Sequence, residues 1–205
     1  MNSQTEKRLI DGPVGAIECA IDQPAAERSL RGVAVICHPN PTQGGTMDNK
    51  VVQTLARAFL QLGYRTVRFN FRGIGRSQGG WDEGRGEVDD ALAVIAAHRE
   101  ASLPLALAGF SFGGYVASRA SQSLPEDLRP ERLALVGPAA SRFDMAPVPA
   151  DTLVVHGEVD DVVPLSAVLD WARPQALPVT VVPGVGHFFH GQLPLLRDIV
   201  VRGWH

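Results

Sequence analysis

Apolar, β-rich runs alternate along the chain with stretches in which apolar residues recur every three to four positions. That alternation is the pattern of a mostly parallel sheet covered by helices on both faces. Lys7 to Asp11 and Val14 to Asp22 predict an opening pair of strands, and the continuous apolar run GVAVIC, Gly32 to Cys37, a central strand. After a long polar loop, Val51, Val52, Leu55, Phe59 and Leu62 make one apolar helical stripe, with Asp48 as the candidate cap and Gly63 as a left-handed stop. Thr66 to Phe71 predicts the next strand, Val88, Leu92 and Ile95 a second helix, Leu103 to Ala108 a strand, and Tyr115 to Ser123 a helix rich in small residues. Strands at Arg132 to Val136, Thr152 to His156 and Val179 to Val182 follow. A helix starting at Pro164 separates the last two, and Pro194 opens a final helix ending near Gly203. The expected fold is therefore α/β, with about eight strands in one domain spanning residues 1–205. The connection Gly137 to Asp151, GPAASRFDMAPVPAD, is studded with proline and carries no apolar helical stripe, so no cap domain is expected.

Composition narrows the class without naming the chemistry. A chain of 205 residues, 45% hydrophobic and 20% charged, is long enough for one large core. Its net charge of -3 offers no basic excess to hold nucleic acid or an anionic membrane. The start MNSQTEKRLIDG has no apolar signal-peptide region, and no apolar run nears the ~20 residues of a bilayer span, so a cytoplasmic protein is expected. Cys19 and Cys37 are too few for a disulfide framework and read as buried apolar residues in strands.

The chemistry is concentrated in Gly109-Phe110-Ser111-Phe112-Gly113, a GxSxG motif placed where the run LPLALA ends and a helix begins. A nucleophile raised on so sharp a turn needs strained backbone angles, and flanking glycines let strand and helix approach around it. Ser111 is the candidate nucleophile. Its hydroxyl is weak at neutral pH unless a base takes its proton. In the chain order Ser, acid, His, the histidines left are His187, His190 and His205. His187 is best placed, in the Gly/Pro-rich loop VPGVGH leaving the last strand, with His190 its rival. The pair HFFH lacks the glutamate-bearing helix of a zinc motif, and no metal or cofactor is expected. The acid should follow the strand Leu153 to His156, where Asp160 and Asp161 are both candidates for orienting the imidazole.

GFSFGG, HGEVDDVVP and GVGHFFHG together resemble the α/β-hydrolase superfamily, and more closely its small bacterial members, dienelactone-hydrolase-like and carboxylesterase-like. The resemblance extends over HPNPTQGGTMDNKVVQTLARAF and NFRGIGRS and covers nearly the whole chain. It implies a serine hydrolase in which the first aspartate of GxxDxxVP, Asp160, is the acid and the histidine of GxxHFF, His187, the base. Two departures stand out. The HGGG segment of many esterases is here His38-Pro39-Asn40-Pro41, and dienelactone hydrolases carry cysteine where this chain has Ser111.

An oxyanion hole needs two backbone N–H groups. One normally follows the nucleophile, here Phe112, and the other comes from the loop after Cys37, where Pro39 and Pro41 have none and Asn40 remains. Two other features read as structural. Gly73 to Gly79 imitates a dinucleotide loop but runs on through Gly80, Trp81, Gly84 and Gly86 before any helical period. Arg65, Arg68, Arg72, Arg76 and Arg85 have Asp82, Glu83 and Glu87 nearby and read as a salt-bridged surface. The expectation is a hydrolase of a short or compact soluble ester or related acyl compound, acting through an acyl-enzyme. Its partner is then a small-molecule substrate, with no nucleic acid and no membrane. Phe110, Phe143 and Phe188 are candidates for the pocket floor. Alternatives are a peptidase or amidase on the same residues, and a binding protein that retains only the fold.

Overall fold

A computed structural model describes residues 5–204 as a three-layer α/β domain; His205 lies outside the described residues. Eight strands, β1 (Glu6–Gly12), β2 (Gly15–Asp22), β3 (Gly32–Cys37), β4 (Tyr64–Phe69), β5 (Leu105–Phe110), β6 (Arg132–Val136), β7 (Leu153–Gly157) and β8 (Val179–Val182), form one sheet. Their order is β1-β2-β4-β3-β5-β6-β7-β8. β1 and β2 form an antiparallel hairpin, β2 runs antiparallel to β4, and the strands from β4 to β8 are parallel. Five helices cover it: α1 (Lys50–Gln61), α2 (Arg85–His98), α3 (Phe112–Ser123), α4 (Leu165–Ala172) and α5 (Leu193–Gly203).

The core shows why the central strands read as unbroken apolar runs. Val33, Val35, Cys37, Leu105, Leu107, Leu133 and Leu135 point to one face, where α2 and α3 pack Val94, Ile95, Val116 and Ala120 against them. The intervening Ala34, Ile36, Ala106, Ala108, Ala134 and Val136 point to the other, under Val51, Leu55 and Phe59 of α1 and Leu196 and Val200 of α5. Both phases of the period-2 pattern are buried, so a polar residue at either would lose its water. Cys19 and Cys37 are buried in β2 and β3 as expected, both as free thiols.

Three local readings are corrected. The cap of α1 is Asn49, whose side chain accepts from Val51 and Val52 N–H, while Asp48 accepts from Arg68 Nη1. β4 starts two residues early and stops at Phe69; just beyond it the Asn70 side chain accepts from the Met47 N–H and donates to Glu18 Oε2. The arginine run is not uniformly surface. Arg68 and Arg72 are only 3% and 7% exposed, held by Asp22 and Asp48 and by Asp90, while Arg85 pairs with Asp82 and Glu83 outside. Their acids lie up to 46 positions away in the chain, beyond the reach of local reading.

Residues 137–151 contain no helix, and among the described residues the face above the sheet carries no cap domain. Among the described residues no helix is long and apolar enough to cross a membrane.

Candidate active site

Loops leaving the carboxyl ends of four parallel strands converge: Asn40 follows β3, Ser111 follows β5, Asp160 follows β7 and His187 follows β8. In open α/β sheets that end is where ligands bind. Ser111 has φ 55° and ψ -118°, a conformation that costs a non-glycine residue about 1–3 kcal/mol. Three backbone hydrogen bonds hold it there, from its own N–H to the Val136 carbonyl and from the Gly114 and Ala139 N–H groups to its carbonyl. The glycines of the motif have the expected task. A Cβ on Gly109 would strike the Gly113 carbonyl, and a Cβ on Gly113 would strike the carbonyls of Cys37 and His38.

Ser111 Oγ lies 3.0 Å from His187 Nε2, and His187 Nδ1 lies 2.6 Å from Asp160 Oδ2. All three side chains are nearly or fully buried. Asp160 Oδ1 accepts from Val162 N–H at 2.9 Å and Val163 N–H at 2.7 Å. Burial alone would raise the Asp160 carboxyl, but the hydrogen bonds from His187, Val163 and Val162 outweigh it and hold the group below the ordinary carboxylate value. It stays an anion beside the imidazole. Asp161 and His190, the rival acid and base, are exposed to solvent.

A residue that the sequence reading passed over makes the crossing possible. β6 lies between β5 and β7, so the chain of contacts from Ser111 through His187 to Asp160 must pass above its end. That end is Gly137, with φ 49°, and a Cβ there would press on His187 Cε1 and Nδ1 at 3.3 Å. The run LALVG offered a signal, a glycine at the end of a buried strand. Phe110 supports the imidazole from below with ring centroids 4.9 Å apart, and Phe188, 43% exposed, stands edge-on to it at 5.0 Å.

The loop after β3 is braced by His38, also missed from sequence. Its Nδ1–H donates to the Pro39 carbonyl at 2.6 Å, and its Nε2 accepts from Phe71 N–H at 3.1 Å, tying together the loops after β3 and β4. Asn40 spends its side chain on Thr42, accepting from N–H at 2.9 Å and Oγ1 at 2.8 Å. Among the described residues, neither the Asn40 nor the Phe112 amide N–H donates a hydrogen bond within the protein. Phe143 packs on Phe112 and Tyr115, so its ring belongs to a wall beside α3.

Residues 29–149 match the family described as Serine aminopeptidase, S33. The chain belongs to that family. It is a serine hydrolase of the α/β fold, and the matched span includes Asn40, Ser111 and Phe112 but ends before Asp160 and His187. The crystal structure of a lidless α/β serine hydrolase from Xanthomonas campestris is similar at 40% identity and TM-score 0.89, covering 99% of this chain and 94% of that one. An α/β serine hydrolase homologue from Coxiella burnetii is 41% identical at TM-score 0.84, covering 98% of this hydrolase and 97% of its own chain. An uncharacterized protein of Rickettsia prowazekii is 31% identical over 195 residues, 87% of this chain and 80% of its own.

Proposed function

We propose that the protein cleaves a carboxylic ester or related acyl compound through an acyl-enzyme on Ser111, with His187 as base and Asp160 as orienting acid. The observation that carries this is the unbroken chain from Ser111 Oγ through the imidazole to Asp160, at 3.0 and 2.6 Å, ending on a serine held at positive φ. Ser111 Oγ attacks the acyl carbon while His187 Nε2 takes its proton. The developing oxyanion is received by the Phe112 and Asn40 N–H groups. The tetrahedral adduct then collapses, His187 returns the proton to the leaving alcohol, and a water attacks the acyl-serine by the same route. Asp160 stays ionised throughout and holds Nδ1–H toward itself.

The substrate proposed is small and soluble, and the compartment the cytoplasm, in keeping with two buried free thiols. The bare connection 137–151 leaves little apolar wall for a long acyl chain, and each methylene left in water forgoes about 0.8 kcal/mol. A second reading, an aminopeptidase, is favoured by the description of the matched family.

Labelling with a fluorophosphonate, followed by a panel of aryl esters of rising chain length and aminoacyl arylamides, tests the proposal. Labelling lost in Ser111→Ala, with turnover greatest on short esters, is the expected result. Failure of the parent to label would remove Ser111 as an activated nucleophile. Turnover confined to arylamides would establish the second reading, and rates climbing steadily to long acyl chains would refute the compact-substrate assignment.

A further inference from the structure

A second histidine meets the acid from behind. His156, next to last in β7, has no exposed surface, and its Nε2 lies 3.0 Å from the Val163 carbonyl oxygen. A carbonyl oxygen only accepts, so the proton of this imidazole sits on Nε2. The same nitrogen is 3.5 Å from Asp160 Oδ2, the oxygen that faces His187. Its Nδ1 is left as a bare acceptor, buried with no hydrogen-bond partner among the described residues. Burial, opposed by the charge of Asp160, pushes the His156 pKa down, which keeps the ring neutral.

An orphaned buried acceptor is unfavourable, and an apolar side chain in its place would not carry that cost. What the imidazole supplies instead is the closure of a ring of contacts. Val163 uses both its backbone groups here, donating its N–H to Asp160 Oδ1 at 2.7 Å and accepting the His156 proton at its carbonyl. Val162 adds a second donor to Oδ1. With both backbone donors on Oδ1, the carboxylate is free to pivot about that oxygen unless something bounds the travel of Oδ2. His187 bounds it on one side and His156 on the other.

We propose that His156 is a positioning residue for this hydrolase: its Nε2–H, donated to the Val163 carbonyl, fixes the 160–163 turn, and the same nitrogen, 3.5 Å from Asp160 Oδ2, keeps Oδ2 turned toward His187. The inference rests on the reading of Asp160 as the orienting acid. It acts through Asp160 and touches no substrate.

Three variants separate positioning from packing. His156→Gln carries an amide N–H near the place of Nε2, His156→Asn carries one near the place of Nδ1, and His156→Leu carries none. With p-nitrophenyl acetate, the Leu and Asn variants are expected to lose roughly 10- to 100-fold in kcat with KM little changed, as for a reacting group displaced by up to an ångström. The Gln variant should keep most of the parent rate. In parallel, the downfield proton NMR resonance of His187 Nδ1–H, in its bond to Asp160, should move upfield in Leu and Asn and stay in place in Gln. If the Leu variant fails to fold, the contrast between Gln and Asn, both polar and both buried, carries the test. Equal rates and resonances in Gln and Asn, whether both unchanged or both impaired, would overturn the proposal. The resonance needs no substrate. A parent that hydrolyses no ester would therefore count against the proposed function while leaving this comparison to decide the role of His156.

Discussion

Gly113 lies so close to the carbonyl oxygen of Cys37 that no Cβ fits between them. The contact joins the first turn of α3 to the end of β3, and so places the Phe112 and Asn40 loops side by side. Gly113→Ala must push the two apart, at about 1–3 kcal/mol of overpacking. The expected outcome is a lowered melting temperature together with slowed fluorophosphonate labelling at a temperature where the variant is still folded. Labelling at the parent rate would mean that the spacing of these loops does not matter to the serine.

Asn40 allows backbone and side chain to be tested apart. Its φ of -51° suits proline, so Asn40→Pro removes the N–H with little conformational strain. Loss of an oxyanion donor should lower kcat by roughly 10²- to 10³-fold. Asn40→Ala keeps the N–H and loses only the bonds to Thr42, at about 0.5–2 kcal/mol of stability, with activity nearly intact. The opposite ranking in steady-state kinetics would assign the donor elsewhere.

The strain at Ser111 is measurable by itself. Ser111→Ala and Ser111→Gly both remove the hydroxyl and its bond to His187, but only glycine relaxes a φ of 55°. The Gly variant is expected to be the more stable of the two by about 1 kcal/mol in urea unfolding, the reverse of the usual order. An Ala variant equal to or above the Gly variant would show that the turn is unstrained.

Stability should fall on the acid side through His38. Burial pushes this imidazole down from an ordinary 6.5 to about 4, opposed by its bond to the Pro39 carbonyl. Between those values the unfolded chain binds a proton that the folded one refuses. The contribution is thus fully present above about pH 6.5 and lost as pH falls toward about 4, a change of about 3 kcal/mol. His98 and His156, also lowered by burial, add to the same slope. Urea midpoints from pH 7 to pH 4 should fall for the parent and fall less for His38→Gln. Parallel curves would exclude His38 as a source of the acid sensitivity.

Local chain chemistry was enough for the sequence by itself to determine the strand and helix succession, the turn at Ser111 and the loops that carry Asp160 and His187. Buried runs such as GVAVIC, a serine between glycines at a strand end, and Gly63 at a helix end each express a preference of a few neighbouring residues. Choosing Asp160 over Asp161 needed the family pattern, because adjacent residues share one loop and only the fold points one inward and leaves the other in solvent. Tertiary structure alone decided the rest. The strand order puts β6 between the serine and the acid, which gives Gly137 its task. Long-range pairing buries Arg68 against Asp22 and Arg72 against Asp90, and it sets His38 under Phe71 N–H and His156 behind Asp160. A residue's neighbours across a sheet are fixed by which strands pair and in what register. That choice minimises the free energy of the whole core and leaves no mark within a short stretch of chain.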